Sequence, residues 1–419
     1  MDQRGTTAAH ADAAAVVGAT TEFEPDVMDL LVETLRRAVR SELPAVGTDT
    51  LLGALVMGDT DAGAAIAPGM RKAGALSGVI SGRAGRGWVS DDEVHSAPVA
   101  AGAEADGVEV DAAWREARWR FGFGSRGSAS ESGPVLPGMT GAMRACLLLA
   151  LRSAHAEGTT AVRCRHVARA LLDLPDSRAR EALLLRRLDP ADAATALDGL
   201  DASARAETEG PESRGVTLLR RAGTLGKSGN RLTRALTSWT SGAAVNGSPV
   251  LFAVNVEAVR QAVRCGRAAA EPVDLLLGIL ALDRALSVAG RSLPGSLSDA
   301  NAAPALLRRH GVRQVSLVSS ASAIPSAAVP DGDGDGDGDG GGGGRVRLSA
   351  AADRTVEVAR LSAAEHGSPT VGTVHLLSAL LDESATDADA GAGVVVRLLA
   401  AGQVDVAALR AELSLRLGA

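Results

Sequence analysis

The chain has 419 residues, a formal net charge of −7, 46% hydrophobic residues and only 2% aromatic ones, with no tyrosine. The length allows two or three domains, and the acidic balance argues against nucleic acid or an anionic membrane surface as a general partner. Three cysteines (Cys146, Cys164, Cys265) make no disulfide framework, and no 18-residue apolar run marks a membrane span.

Residues 1–21 read as a disordered N-terminus. Asp2 and Asp12 interrupt its Ala-rich stretches, and no basic start with an apolar core follows, so no signal peptide is expected and the chain reads as cytoplasmic. The apolar content is mainly Ala, Leu and Val, which suits closely packed helices better than sheets. In 22–80, Val27, Leu30, Leu31, Leu35 and Ala38 recur at helical spacing. VGTDTLLGALV follows at Val46 to Val56, with Leu51, Leu52, Leu55 and Val56 on one stripe. In the motif of the same shape at Val371 to Leu381, Gly372 and Thr373 predict a turn and an N-cap. GMRKAG, at Gly69 to Gly74, closes the region.

An insert over 81–137 is far longer than an ordinary helix connection. It gathers Trp88, Trp114, Trp119, Phe121 and Phe123, with an acidic middle (Glu104, Asp106, Glu109, Asp111) before the basic, aromatic WREARWRFGFGSR. Arg and aromatic faces can stack on single-stranded bases. The favoured reading is a strap whose Trp side chains pack back onto a helical globule, the insert as a whole looping outside it, because aromatics in a long loop find burial.

The pattern of 22–80 then returns three times. In 138–199, Met143, Cys146, Leu147, Leu151 and Ala154 precede VRCRHVARALL (Val162 to Leu172) and LLRRLD (Leu184 to Asp189). A polar link over 200–247 carries RAGTLGKSG (Arg221 to Gly229), which imitates a phosphate-binding loop after a possible strand VTLL (Val216 to Leu219). Arg221 stands where that loop needs Gly, and no strand ending in Asp follows to hold magnesium. The third copy, 248–318, is divergent, with a helix start at Ser248-Pro249, AEPVDLLLGIL (Ala270 to Leu280) and LLRRHG (Leu306 to Gly311). Residues 319–346 form a flexible linker. Its Asp331 to Gly344 run mimics a calcium loop at Asp331, Asp333 and Asp335 but has Gly342 where the bidentate Glu belongs. The last copy, 347–417, carries VGTVHLLSALL (Val371 to Leu381) and LLAAG (Leu398 to Gly402). Three of the closing stretches end in Gly, the residue that ends a helix in the left-handed conformation. Four copies predict a repeat protein, all-α, in two globules of two repeats joined by long flexible linkers.

The order of an apolar residue before a polar helix start, a long helix, a VGTEHLL-like helix and a helix ending in Leu-Gly resembles the Clp repeat. That repeat forms the N-terminal domain of the Clp ATPase unfoldases, two copies to an all-α globule. The resemblance covers roughly 60 residues in each of four places. It implies that the Glu of VGTEH and the Thr opening the first helix help bind phosphoarginine, the acid neutralising the guanidinium and the helix start receiving the phosphate. The Glu positions are here Asp49, Arg165, Val273 and Val374, and the Thr positions Glu24, Thr140 and Ser349. Asp49 is read as paired with Glu24, which would repel a phosphate, and Thr140 as facing Arg165, so a phosphoarginine reader is not expected. Related domains bind cyclic peptides through the Phe before that Thr. The positions are Phe23, Met139 and Leu348, all apolar, which implies a surviving apolar peptide groove beside the helix starts.

His166 and His375 share one motif position with no Cys or carboxylate at metal spacing, as hydrogen-bonded structural residues do. No catalytic grouping, cofactor or metal site is expected. The expectation is therefore a non-enzymatic, stand-alone Clp-repeat protein that binds a polypeptide or peptide-like ligand. It would act as adaptor, decoy or sequestering partner of a Clp protease system, with a Clp ATPase or its substrates as partners. Its candidate ligand residues are Phe23, Glu24, Asp49, Met139, Thr140 and Arg165. The alternative is a nucleotide-dependent regulator using residues 221–229.

Overall fold

Proline at a first helical position wastes no hydrogen bond and presets φ, and Pro25 opens α1 (Pro25–Arg40) in this way. The residues Val27, Leu30, Leu31, Leu35 and Ala38 of its stripe are buried. The computed structural model describes residues 19–69, 75–83, 87–90, 92, 103–124, 136–204, 210–225, 248–322, 346–382 and 393–418. Among them the chain is predominantly helical, with four strands of two residues each. No described helix is long and apolar enough to cross a membrane. The chain divides into two compact units, one built on Thr21–Thr208 and one on Glu209–Asp337 with Gly344–Ala419. Each has its own hydrophobic core.

In the N-terminal unit, β1 (Glu22–Phe23) leads into α1, and β2 (Ala45–Val46) into α2 (Thr48–Met57). After the short α3 (Asp61–Ile66) and α4 (Ala75–Arg83) comes α5 (Ala103–Gly124). The opening pattern is then repeated: β3 (Gly138–Met139) leads into α6 (Gly141–Ala156), and β4 (Ala161–Val162) into α7 (Cys164–Asp173). The strands cross between the halves. β1 pairs in parallel with β4, Phe23 opposite Val162, and β2 with β3, Val46 opposite Met139. α8 (Arg178–Leu185) and α9 (Pro190–Ala204) complete the unit.

The insert does not loop outside this core. Val110, Ala113, Trp114, Ala117 and Phe121 of α5 recur at the spacing of one helix face and are all buried in the core of this unit. The strap reading of the tryptophans is the better one, but the strap is a six-turn helix lying on α1. Ion pairs hold it along both flanks: Arg120 reaches Asp29 of α1 at 3.7 Å, while Asp111 and Asp106 take Arg144 and Arg152 of α6. Asp106 and Asp111 of the acidic middle and Arg120 of the basic end thus face partners within the chain. Trp114 and Phe121 have no face left for bases.

In the C-terminal unit, α10 (Arg214–Arg221) precedes α11 (Pro249–Arg264) and α12 (Pro272–Val288). Val216 to Leu219 are helical in α10, with Val216 and Leu219 buried, so the strand expected before the phosphate-loop imitation is absent. Lys227 and the rest of that loop lie outside the described residues, as does the Asp331 to Gly344 run. Ser248 caps α11 by accepting from Leu251 N at 3.3 Å, with Pro249 next, so the helix starts where Ser248-Pro249 predicts. α11 and α12 pack backbone to backbone at Gly278, where a Cβ would stand 2.7 Å from the Val254 carbonyl oxygen. The short α13 (Gly295–Ser298), then α14 (Ala303–Arg309) and α15 (Gln314–Ser322), lead to a second repetition. α16 (Ala350–Glu365), α17 (Thr373–Asp382), α18 (Val394–Ala401) and α19 (Val406–Leu417) follow. A single parallel bridge, Ala270 to Leu348, ties the start of α12 to the start of α16. It occupies the place that β2–β3 has in the other unit.

The expected glycine stops hold only in part. Gly311 ends α14 with φ +79, but Gly402 has φ −76 and it is Gln403, at φ +60, that takes the left-handed turn.

Candidate functional site

The first N–H groups of an α-helix have no partner inside it, and how each motif helix meets that need defines the candidate sites. Thr48 is not the N-cap of α2: Gly47 is, and Thr48 is the first helical residue. Its N–H donates to Asp92 Oδ2 at 2.7 Å, and its hydroxyl lies 3.1 and 3.0 Å from Asp92 Oδ1 and Oδ2. The same carboxylate accepts from the N–H of Arg178, the first residue of α8, at 2.9 Å. Ala179 N donates to the Thr48 hydroxyl at 3.1 Å. The Asp92 carbonyl accepts from Ala142 N in the first turn of α6, at 2.8 Å. One buried insert residue therefore serves the starts of α2, α6 and α8.

Asp49 sits in the same first turn, 3% exposed, with its Oδ1 buried and unpartnered. A Cβ placed on Gly47 would lie 2.5 Å from Asp49 Oδ1, 2.8 Å from Asp92 Oδ2 and 3.4 Å from Arg178 Nη1. Two carboxyl groups and one guanidinium thus meet around a residue that must lack a side chain. Burial and then the charge of Asp92 push the Asp49 carboxyl up to about 6, with Arg178 pulling the other way.

A raised folded-state value means the folded chain still holds this proton where the unfolded chain has released it. The contribution of this carboxyl to stability is therefore greatest below about pH 4 and falls as pH rises towards 6. Asp49→Asn removes that penalty. Its unfolding free energy should match wild type near pH 4 and exceed it by about 2–3 kcal/mol at pH 8, a shift of roughly two units at 1.36 kcal/mol each. Urea denaturation at both pH values checks this, and parallel pH curves for the two proteins would contradict it.

The equivalent place on α7 is built from other atoms. Cys164 N donates to Asp26 Oδ2 at 3.2 Å, so a residue of α1 does here what Asp92 does for α2. Ala142 holds the corresponding first-turn position of α6 and has no carboxylate to offer, which leaves room for the insert. Arg163 N donates to His166 Nδ1 at 2.9 Å, and His166 Nε2 then faces Glu157 Oε2 at 3.2 Å. Arg165 makes a two-pronged contact with Glu157, at 3.1 and 2.5 Å. Burial pushes the Glu157 carboxyl up, but the bonds from Arg165 and His166 outweigh it and hold it below its usual range. Burial, reinforced by Asp26, pushes the Cys164 thiol far up, so it is no nucleophile.

The strand crossing corrects the expected pairing of site residues. Thr140 N donates to Val46 O at 3.0 Å and Glu24 N to Val162 O at 3.0 Å. Thr140 therefore stands beside the Asp49 motif and Glu24 beside the Arg165 motif, each with the other half's helix. Thr140 caps α6 by accepting from Met143 N at 3.1 Å and is 1% exposed. Glu24 is 3% exposed and makes no side-chain cap. Phe23 is 1% exposed and among the large side chains wholly inside the core, so it lines no open groove. Met139 is half-buried on the same core.

The motif helices of the C-terminal unit are served from within as well. Val273 and Val374 are buried. Glu271 N donates to Asp274 Oδ2 at 2.9 Å. Gly372 N donates to His375 Nδ1 at 3.0 Å, repeating the role of His166. Thr373 N donates to Asn301 Oδ1 at 3.0 Å and Val374 N to Ala300 O at 3.1 Å. Burial holds the His375 imidazole below its usual range. The Ser349 hydroxyl caps α16 and donates to Glu271 Oε2 at 2.9 Å.

Asp92, Arg178, Asp26 and Asn301 complete these sites, and no spacing rule singles them out. Their partners stand 44, 86, 138 and 72 positions away. The one hint is local: Ser90-Asp91-Asp92-Glu93 is the most acidic stretch of its part of the insert. Comparison of the chain with protein-family models, curated proteins and solved structures finds no match.

Proposed function

We propose that the chain is a non-enzymatic Clp-repeat protein that binds a polypeptide or peptide-like ligand, as adaptor, decoy or sequestering partner of a Clp protease system. The observation that carries this reading is the crossed strand pairing of the N-terminal unit. A strand and long helix from each half meet the motif helix of the other, as two copies of one repeat related by a pseudo-twofold would do. The bridge from Ala270 to Leu348 supports the same arrangement for copies three and four.

Phosphoarginine recognition is not part of the proposal. The crossing does put the acid Asp49 near the capped start at Thr140. But the first-turn N–H groups of α6 that would receive a phosphate are taken, Ala142 N by the Asp92 carbonyl and Met143 N by the Thr140 hydroxyl. The nucleotide alternative finds no support in α10, which is a helix where a strand is needed.

The test uses a reconstituted Clp ATPase and its protease with a fluorescent unfolded substrate. Added chain is expected to change the degradation rate and to bind the substrate without ATP. Millimolar phosphoarginine should leave its spectrum and melting temperature unchanged. A chain that neither binds the unfolded substrate nor alters its degradation would refute the reading.

A further inference from the structure

Asp92 is a peculiar residue to find at the centre of the α2 start. It comes from the insert, between α4 and α5, and it is fully buried. It is one of two tethers on this stretch. At the other, Glu181 of α8 accepts from Val89 N at 3.0 Å and Ser90 N at 2.9 Å, and takes Arg83 Nη1 at 2.6 Å. Arg83 in turn lies over the Trp88 ring, 5.7 Å from its centre, and donates to Gly87 O at 2.8 Å. Residues 87–90 and 92 thus run across α8 and end by inserting a carboxylate between helix starts.

What makes this attachment adjustable is the second carboxyl beside it. Asp92 finds three donors, Thr48 N, the Thr48 hydroxyl and Arg178 N, whereas Asp49 has one oxygen with no partner. We propose that residues 87–90 and Asp92 form a clasp on the starts of α2 and α8, locked by Asp92 and loosened when the neighbouring Asp49 gives up its proton. With Asp49 neutral, Asp92 is the single negative charge among these donors and beside Arg178. With Asp49 ionised, two like charges stand side by side in a buried place, and repulsion acts on the member that comes from the insert rather than from the helix itself.

The other groups facing this point do not supply the effect. Arg178 of α8 brings a guanidinium, and Thr48 and Thr50 of α2 bring hydroxyls. From α6, the Cys146 thiol is pushed far up by burial and by Asp92, so it stays neutral. Glu181 and Arg83 form an ion pair of their own at the far end of the clasp. The raised value of Asp49 places its titration near pH 6. The inference concerns the chain's own insert and stands whether or not the Clp-repeat reading does.

Amide hydrogen exchange on the full chain tests it, with rates corrected for the intrinsic pH dependence of exchange. Protection of a peptide spanning Gly87 to Asp92, and of the amides of Thr48 and Arg178, is followed from pH 5 to pH 7.5. The expected result is a fall of about tenfold, the equivalent of roughly one unit of coupling between the carboxyls. Asp49→Asn should keep the clasp protected and flat across the range, and Asp92→Ala should leave it unprotected and equally flat. The neutral, near-isosteric Asp49→Asn removes one charge and no cap, so a folded variant is expected even where Asp92→Ala is unstable. Flat wild-type protection, or an unchanged slope in Asp49→Asn, would overturn the proposal.

Discussion

Replacing Arg267 with Ala should destabilise the C-terminal unit by about 3–5 kcal/mol at pH 8, the usual cost of orphaning a buried charge. Arg267 and Asp274 form an ion pair with side chains only 3% and 0% exposed. Asp274 is also the residue that closes the start of α12, accepting from Glu271 N. Arg267 donates in addition to the Ala321 carbonyl at the end of α15. One guanidinium therefore joins two helix ends that share no sequence neighbourhood.

The cost should depend on pH in a determined direction. Burial pushes the Asp274 carboxyl up to about 6 even with Arg267 attracting it. Wild-type stability thus already falls as pH rises from about 4 to 6. Without the guanidinium the folded-state value climbs further, so the variant goes on losing stability above pH 6, where the wild type has levelled off. The gap measured by urea denaturation should be clearly larger at pH 8 than at pH 5, with the lost bond to Ala321 a constant part of it. Equal gaps at the two pH values would mean that Arg267 serves the α15 carbonyl alone.

Trp114→Ala should cost the N-terminal unit about 3–5 kcal/mol, the range for an aromatic side chain truncated in a packed interior. Trp114 is 7% exposed and packs among Val110, Ala113, Ala117 and Phe121 against the core. Val108 lies on the other face of the same helix at 42% exposure, and Val108→Ala should change stability by less than about 0.5 kcal/mol. Intrinsic fluorescence of Trp88 and Trp119 follows the transition. If the two substitutions cost the same, α5 is an accessory rather than a part of the core.

The contrast between the two faces of α5 shows what is legible in the residues. The all-α character, the stripes of α1, α2, α6 and α7 and the start of α11 at Ser248-Pro249 follow from spacing and capping chemistry. The face of α5 was equally present, as Val110, Ala113, Trp114, Ala117 and Phe121 at i, i+3, i+4, i+7 and i+11. The length of the insert, far beyond an ordinary helix connection, points instead to a long loop with packed tryptophans, whereas Arg120, Asp111 and Asp106 pair with Asp29, Arg144 and Arg152. The crossing of the strands left no trace, since two-residue strands carry no periodicity. With it went the true neighbours of Asp49 and Thr140. Phe23 looked like a groove residue because its position precedes a helix start. The β1–β4 pairing places that start inside the unit, and Phe23 with it.

The same crossing has a consequence for synthesis. As the chain leaves the ribosome, β1 and α1 appear first, yet the partner of Phe23 is Val162, and the cap that Asp26 provides waits for Cys164, 138 positions later. Nothing made before that point can close the unit. Until then α1 has only α2 and α5 to pack on, while the rest of the unit is translated over about ten seconds or more at 5–20 residues per second. Contacts of such long range also slow the final closure. A nascent chain truncated before β4 should therefore be protease-sensitive and held by chaperones, and one extended past α8 should not.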